Sequence, residues 1–380
     1  MVDQDAAPIP YDSMGFDPRL EAGFHSLGFE GTRPVQGAVI PIALEGHDVV
    51  ACAETGTGKT LAFAVPIIER LLSATPGYGD PAREAYTRAL ILAPTRELAV
   101  QIEDSIVGLT YNTPVTSAAV FGGVEMGPQE RALQAGVDIV VATPGRLMDH
   151  MRHSNTDFVR VDVLVLDEAD RMMDMGFWPD VQRIMAALPP DRQTLLFSAT
   201  LPGEIQRMAT DVLKSPRYVQ VGKRGGAART IDHQMVQVES GAKVDWVATF
   251  TKRDSTGPVL VFVRRKIDAD RVARTLASKS IKAAALHADR SQQERLSAVE
   301  GFRSGRLPVL VATDIAARGL DIEGIAHVIN FEVPDSPETY VHRVGRTGRA
   351  GASGHAVTLV APHEQRAWAA VEAAIGINAR

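Results

Sequence analysis

The sequence predicts two α/β domains in tandem, each a mostly parallel sheet with helices on both faces, joined by a flexible linker. Three observations predict it. Short Val/Ile/Leu-rich runs alternate with amphipathic stretches, which favours a parallel sheet covered by helices. The alternation breaks once and restarts, and 380 residues suit two domains that each bury a core. Every chemistry-bearing run follows a predicted strand, at the carboxyl edge where such sheets bind ligands.

Strands are expected at 48–52, 89–93, 115–121, 138–142, 161–166 and 194–197, with helices at 61–72, 96–108, 128–134, 179–188 and 203–213 between them. Pro76, Gly77, Gly79 and Pro81 mark 74–87 as a surface loop. Residues 215–231, with Pro216 and the Lys223–Arg229 run, read as the linker between a domain at 1–214 and one at 232–380. Strands resume at 259–263, 283–286, 309–312, 327–331 and 356–360.

Apolar residues make up 45% and charged residues 23%, an ordinary soluble composition. No apolar run is long enough to cross a bilayer and residues 1–10 are not a signal peptide, so a cytoplasmic protein without a membrane partner is expected. Cys52 is the only cysteine, which excludes a disulfide or a cysteine zinc site within one chain. Net charge is −6, but residues 1–214 hold 16 Lys+Arg against 29 Asp+Glu, and residues 215–380 hold 24 against 17. An acidic half beside a basic half does not exclude a nucleic-acid partner.

The run Ala53-Glu54-Thr55-Gly56-Thr57-Gly58-Lys59-Thr60 between a strand and a helix reads as a phosphate cradle. Small residues let backbone N–H groups turn towards phosphate oxygens, and the helix N-terminus adds partial positive charge. Lys59 would reach the β and γ phosphates of a triphosphate and the Thr60 hydroxyl would ligate Mg²⁺. The pattern is complete except that Ala53 stands at the first glycine. Downstream, an apolar strand delivers Asp167-Glu168-Ala169-Asp170 to its carboxyl end. One carboxylate, Asp167, suits Mg²⁺; the next, Glu168, suits a water-orienting base.

Asp-Glu-Ala-Asp at 167–170 resembles the signature of DEAD-box RNA helicases of superfamily 2, and Ala53 is that family's usual residue in its first motif. The fold implied is two tandem RecA-like domains. Residues 28–36 resemble the family's Q motif, with Tyr11 at its isolated upstream aromatic. A Gln36 amide can pair with the adenine N6/N7 edge and Phe29 can stack on the ring. Asp174-Met175-Gly176-Phe177 leans towards bacterial members.

Pro94-Thr95-Arg96, Gly122-Gly123 and Thr143-Pro144-Gly145-Arg146 resemble the family's RNA-backbone contacts, naming Pro94, Thr95, Arg96, Gly123, Thr143, Gly145 and Arg146. Helix N-termini, Thr hydroxyls and arginines suit phosphate and ribose oxygens, so binding of single-stranded or duplex RNA is expected to be largely indifferent to base identity. Ser198 and Thr200 resemble the coupling motif between nucleotide and RNA.

In the second domain His342-Arg343-Val344-Gly345-Arg346-Thr347-Gly348-Arg349 fits arginine fingers, Arg346 and Arg349, for charge developing on the γ-phosphate, an effect of about 10³ to 10⁵ in rate. By resemblance His342 contacts the first domain's acidic motif, Thr313 and Arg295 touch RNA, and Asp321 bonds the ATP ribose. Two positions depart from the family: Arg265 stands where it usually has Thr or a small polar residue, and Glu332 where Asp is common.

The reading is an ATP-dependent RNA helicase core that uses ATP and Mg²⁺ and closes a cleft on single-stranded RNA. An ATP-gated RNA clamp or annealing scaffold, and a DNA-directed motor of the same superfamily, are the alternatives. Lys59→Ala is expected to abolish tight ATP binding; unchanged nucleotide affinity by titration calorimetry would refute the cradle.

Overall fold

The computed structural model describes residues 6–53, 56–73, 86–153, 156, 158–201, 203–221, 231–253, 257–317, 324–348 and 353–376. The chain divides into two compact units, Met1–Gly222 and Lys223–Arg380.

The first unit runs α1 (Pro18–Leu27), α2 (Pro34–Leu44), β1 (Val49–Cys52), α3 (Lys59–Ser73), β2 (Ala89–Leu92), α4 (Arg96–Thr110), β3 (Ser117–Val120), α5 (Met126–Ala135), β4 (Ile139–Ala142), α6 (Pro144–Arg152), β5 (Val163–Leu166), α7 (Ala169–Asp174), α8 (Trp178–Ala186), β6 (Gln193–Ser198), α9 (Gly203–Val212) and β7 (Arg217–Gln220). Its seven strands lie parallel in the order β3-β4-β2-β5-β6-β1-β7. Side chains alternate between two cores: Val49 and Ala51 pack with the α1 to α4 side, Val50 with the α6 to α9 side. Burial on both faces explains the continuous apolar runs.

Local chemistry sets the helix ends. Asp17 Oδ1 accepts from Arg19 N–H at 2.9 Å, Pro18 opens α1, and Gly28 closes it at φ 70°. Thr95 caps α4 through Leu98 N–H at 3.4 Å. Asp48 joins three strand starts, its carboxylate accepting from Thr194 N–H at 2.8 Å and Lys214 N–H at 2.6 Å, its carbonyl from Arg217 N–H at 2.8 Å.

The second unit runs β8 (Ile231–Gln237), α10 (Lys243–Thr251), β9 (Val259–Val263), α11 (Lys266–Ser278), β10 (Ala283–Leu286), α12 (Gln292–Arg303), β11 (Val309–Thr313), α13 (Asp314–Ala317), β12 (His327–Asn330), α14 (Pro337–Val344), β13 (Gly354–Val360) and α15 (Gln365–Ile375). Six parallel strands order as β10-β11-β9-β12-β13-β8. Val259, Val261 and Val263 face α10 and α11, while Leu260 and Phe262 face α12 and α13.

Two strands lie where sequence reading expects none. Residues 217–220, read as linker, form β7 beside β1, and 231–237 form β8 beside β13. Both are edge strands with mostly polar, partly exposed residues, so they carry little of the apolar signal of a buried strand. Residues 74–85 of the expected loop and 222–230 of the expected linker lie outside the described residues.

Lys243 anchors the second unit's centre. Its buried ammonium donates to Phe331 O and Leu359 O, both at 2.8 Å, and pairs with Glu364. Burial opposes the Glu364 charge, but Lys243 and the Ala361 and Val333 N–H groups outweigh it and hold the carboxyl below its ordinary range. Lys243→Ala would strand a buried carboxylate and is expected to cost about 3–5 kcal/mol, read as a lower urea midpoint of the second unit. A loss below about 1 kcal/mol would reduce the pair to the level of a surface ion pair.

Candidate functional site

In the first unit the chemistry gathers on three adjacent strand ends. β6 lies between β1 and β5, so the cradle after β1, Ser198 and Thr200 at the end of β6, and the acidic run after β5 stand side by side. Ala53 N–H donates to Ser198 O at 3.0 Å, stitching the first two.

The cradle turns through two glycines in the left-handed region, Gly56 at φ 85° and Gly58 at φ 90°. A Cβ on Gly58 would sit 2.5 Å from Gln36 Nε2, so only glycine fits. Lys59 is buried at the start of α3 and donates to Ala53 O at 3.1 Å; Thr60 follows it in the first turn. Thr57 belongs to the same turn, and Thr55 lies outside the described residues.

Gln36 is placed against this loop. Its Oε1 accepts from Tyr11 O–H at 2.7 Å and Arg33 N–H at 2.6 Å, and its Nε2 donates to Gly58 O at 3.0 Å. Both acceptor lone pairs and one of two donors are therefore engaged. A bidentate adenine pair needs one of those acceptor sites back. Arg33, not singled out in the sequence, reaches Gly56 O at 2.8 Å. Tyr11 is buried, stacks on Phe24 at 4.1 Å and has its hydroxyl pushed up to about 12 by burial. Phe29 is 37% exposed and open to a flat ligand.

The acidic run is buried. Asp167 is 2% exposed and accepts from Glu168 N–H at 2.9 Å. Glu168 has φ 50°, a conformation L side chains rarely adopt, which marks local strain of the kind found at functional sites. Its carboxylate pairs with Arg171 at 2.7 Å, both side chains 7% exposed. Asp170 accepts from Thr200 N–H and Oγ–H, each at 3.0 Å, and Ser198 Oγ donates to Thr200 O at 2.6 Å. Arg171 escapes sequence reading because an arginine one turn into a helix is usually solvated.

The remaining strand ends carry a second group. Turns after β2, β4 and β3 hold Pro94, Thr95 and Arg96, then Thr143, Gly145 and Arg146, then Gly123. A Cβ at Gly123, φ 84°, would fall 2.0 Å from Arg96 Nη1, so the arginine lies directly on the glycine turn. Arg146 donates to Val124 O at 3.2 and 3.1 Å from its two terminal nitrogens. Nothing lies within 4 Å of a Cβ on Gly145, which leaves backbone open at the start of α6.

Two family models match the chain: DEAD/DEAH box helicase over residues 33–208 and Helicase conserved C-terminal domain over 242–351. The chain is 40% identical to an ATP-dependent RNA helicase CshA of Listeria monocytogenes over 93% of its own length and 66% of that protein's. It is 38% identical to the DEAD-box ATP-dependent RNA helicase CshA of Bacillus subtilis over 96% and 72%. The chain belongs to the DEAD-box helicase family. Its fold is similar to S. cerevisiae Dbp5 bound to RNA and ADP BeF3 (TM-score 0.86, 28% identity, 97% of this chain and 94% of that one). It is also similar to Mss116p bound to ssRNA and AMP-PNP (TM-score 0.87, 29% identity, 99% and 80%), so both units are RecA-like.

In the DEAD-box chain's second unit, Thr313 ends β11 and is buried, and Arg295 sits one turn into α12 behind a Ser291–Glu294 capping box. His342 lies in the last turn of α14, and Arg346 follows that helix, 6% exposed with Nε donating to His342 O at 3.3 Å. Arg343 is the residue that sequence reading passed over. It pairs with Asp314 through two bonds of 2.6 and 2.7 Å, reaches Asn330 Oδ1 at 3.3 Å and Glu332 O at 3.2 Å, and lies over Phe262. Asp321 and Arg349 lie outside the described residues.

Burial pushes Asp167 up to about 6; Lys59 opposes the rise and Glu168 adds to it. Between about pH 4 and 6 the folded chain keeps a proton that the unfolded chain has lost, so stability falls as pH rises through that window. Asp167→Asn cannot ionise. In urea unfolding without nucleotide or metal it is expected to raise the first unit's midpoint more at pH 7.5 than at pH 5, and equal shifts would refute the assignment.

Proposed function

We propose that this chain is an RNA-stimulated ATPase that couples ATP binding and hydrolysis to closure on single-stranded RNA and local unwinding of RNA duplexes, in the cytoplasm. Supporting it are the family, the relatives' names as ATP-dependent RNA helicases, and neighbours bound to RNA with ATP analogues. The observation that supports it best is the order of the motifs along one sheet edge: the cradle, Ser198–Thr200 and the acidic run at β1, β6 and β5, then the Thr95–Arg96, Thr143–Arg146 and Gly123 turns at β2, β4 and β3, the two groups meeting where β5 lies beside β2.

In this reading backbone N–H groups of the cradle at Thr55, Gly56, Thr57 and Gly58, with Lys59, bind the ATP phosphates, and Asp321 the ribose. Phe29 and Gln36 read adenine. Thr60 and Asp167 fit Mg²⁺: both offer hard oxygen, a buried carboxylate is favoured in its charged form by a cation, and Mg²⁺ takes one or two carboxylates beside phosphates. Glu168, fixed by Arg171, orients water and accepts its proton. Arg346 and Arg349 stabilise charge on the γ-phosphate when the units close, with His342 against the acidic run, so hydrolysis waits for RNA. RNA contacts fall on phosphate and ribose through Thr95, Arg96, Thr143, Arg146, Arg295 and Thr313, and so carry little base specificity.

Steady-state ATPase with and without single-stranded RNA tests the coupling. RNA is expected to raise the wild-type rate many-fold and Arg346→Ala to lower the stimulated rate by about 10³ or more. Glu168→Gln should bind ATP and RNA with little turnover. RNA without effect on wild type would overturn the coupling, and normal turnover in Glu168→Gln would remove it as base. Duplex release by wild type separates unwinding from an ATP-gated clamp.

A further inference from the structure

A continuous chain of side-chain hydrogen bonds runs through the second unit from Asp314 to His233, and its middle members Asn330, Thr358 and Tyr340 are each 0% exposed. It starts at the Asp314–Arg343 pair. Arg343 Nη1 donates to Asn330 Oδ1 at 3.3 Å and Asn330 Nδ2 to Thr358 Oγ1 at 3.1 Å. Thr358 bonds the Tyr340 hydroxyl, which meets His233 Nδ1 at 2.7 Å. Asn330 and Thr358 are in register on β12 and β13, and His233 lies on β8 beside Ala356 of β13.

The direction of every bond follows from the first. A guanidinium only donates, so the Asn330 amide turns its oxygen to Arg343 and its nitrogen to Thr358. Thr358 Oγ1 therefore accepts, which leaves its own hydrogen for Tyr340, and Tyr340 gives its hydrogen to His233. The chain needs a terminal acceptor, and His233 supplies one only as the neutral imidazole with its proton on Nε2. Burial holds the His233 pKa below its ordinary range against the charge of Asp232, its neighbour on β8, which itself pairs with His355 at 3.5 Å. Glu372 of α15 adds a negative charge near Tyr340.

Tyr340 and Arg343 lie three residues apart on α14, so the chain leaves that helix, crosses β13 and β12 and returns to it one turn on. Arg346 depends on this end of the helix: its N–H donates to Arg343 O at 3.2 Å and its Nε to His342 O at 3.3 Å. We propose that His233 is a positioning residue for Arg346, acting as the acceptor that closes the hydrogen-bond chain on α14. The proposal rests on the reading that Arg346 stabilises charge on the γ-phosphate. With His233 protonated, an N–H would face the Tyr340 O–H. The chain would then have to reverse at Asn330, which Arg343 forbids.

The test is steady-state ATPase with saturating single-stranded RNA for wild type, His233→Leu, His233→Asn and Tyr340→Phe, with urea midpoints to check folding. Asn sets an amide oxygen where Nδ1 stands, and Phe keeps the ring against Trp368 while deleting only the hydroxyl. His233→Leu and Tyr340→Phe are expected to lower the RNA-stimulated kcat about ten- to a hundredfold. The KM for ATP, the RNA concentration at half-stimulation and the rate without RNA should stay at wild-type values. His233→Asn is expected to match wild type at about pH 7.5 and to exceed it at about pH 5.5, where the imidazole gains its proton. Unchanged kcat in both His233→Leu and Tyr340→Phe overturns the proposal, as do parallel pH profiles for wild type and His233→Asn. A loss of kcat accompanied by weaker ATP and RNA binding and a lower urea midpoint, without rescue by Asn, also overturns it, because that is a packing defect. Full RNA stimulation in Arg346→Ala overturns the reading beneath it.

Discussion

The buried amide of Gln36 ties the N-terminal segment to the phosphate loop. Three hydrogen bonds, from Tyr11 O–H, from Arg33 N–H and to Gly58 O, leave it 3% exposed. Leaving any one of these groups unsatisfied would cost about 1–3 kcal/mol, so the amide and the loop move as a unit. Gly58 is fixed at a φ that L side chains avoid, and Arg33 clasps Gly56 from the same helix start. A base that displaced Tyr11 or Arg33 from the amide would thereby alter the loop's support. Whatever competes for this amide therefore acts on the shape of the Gly56–Gly58 turn as well.

Within each unit, charged groups are held in closed pairs and hydrogen bonds. Glu168 with Arg171, Asp170 with Thr200, and Arg343 with Asp314 are each buried or half-buried, and each joins residues that ligand-binding turns depend on. Removing one partner of such a pair costs more than the pair contributes, because the remaining group is left desolvated. Their benefit is geometric: each holds a carboxylate or guanidinium in one orientation without a ligand's help.

The central strands were legible because parallel strands buried on both faces need continuous apolar residues; Val259–Val263 has the same limits in sequence and structure. Edge strands β7 and β8 were not, since solvent on one side permits Arg217, Tyr218, Asp232 and Gln234 there. At the site, glycines and the lysine of the cradle could be read, because close approach of backbone to phosphate permits few residue types. Arg171 and Arg343 could not, because an arginine's partner is set by tertiary packing. The sequence-level expectation for Gln36 named its chemistry and missed its present partners, which lie up to 25 residues away.

The tip of β5 is the junction of the first unit. Asp167 N–H donates to Leu92 O at the end of β2, two residues before Pro94, while Asp170 accepts from Thr200 beyond β6. Four residues thus bridge the turn after β6 and the turn after β2. Because a backbone bond holds Asp167 to β2, the Asp170 carboxylate holds Thr200, and the neighbourhood is close-packed, the Asp167–Asp170 turn cannot shift without straining both neighbours. A displacement of this turn is therefore felt at the ends of both β6 and β2.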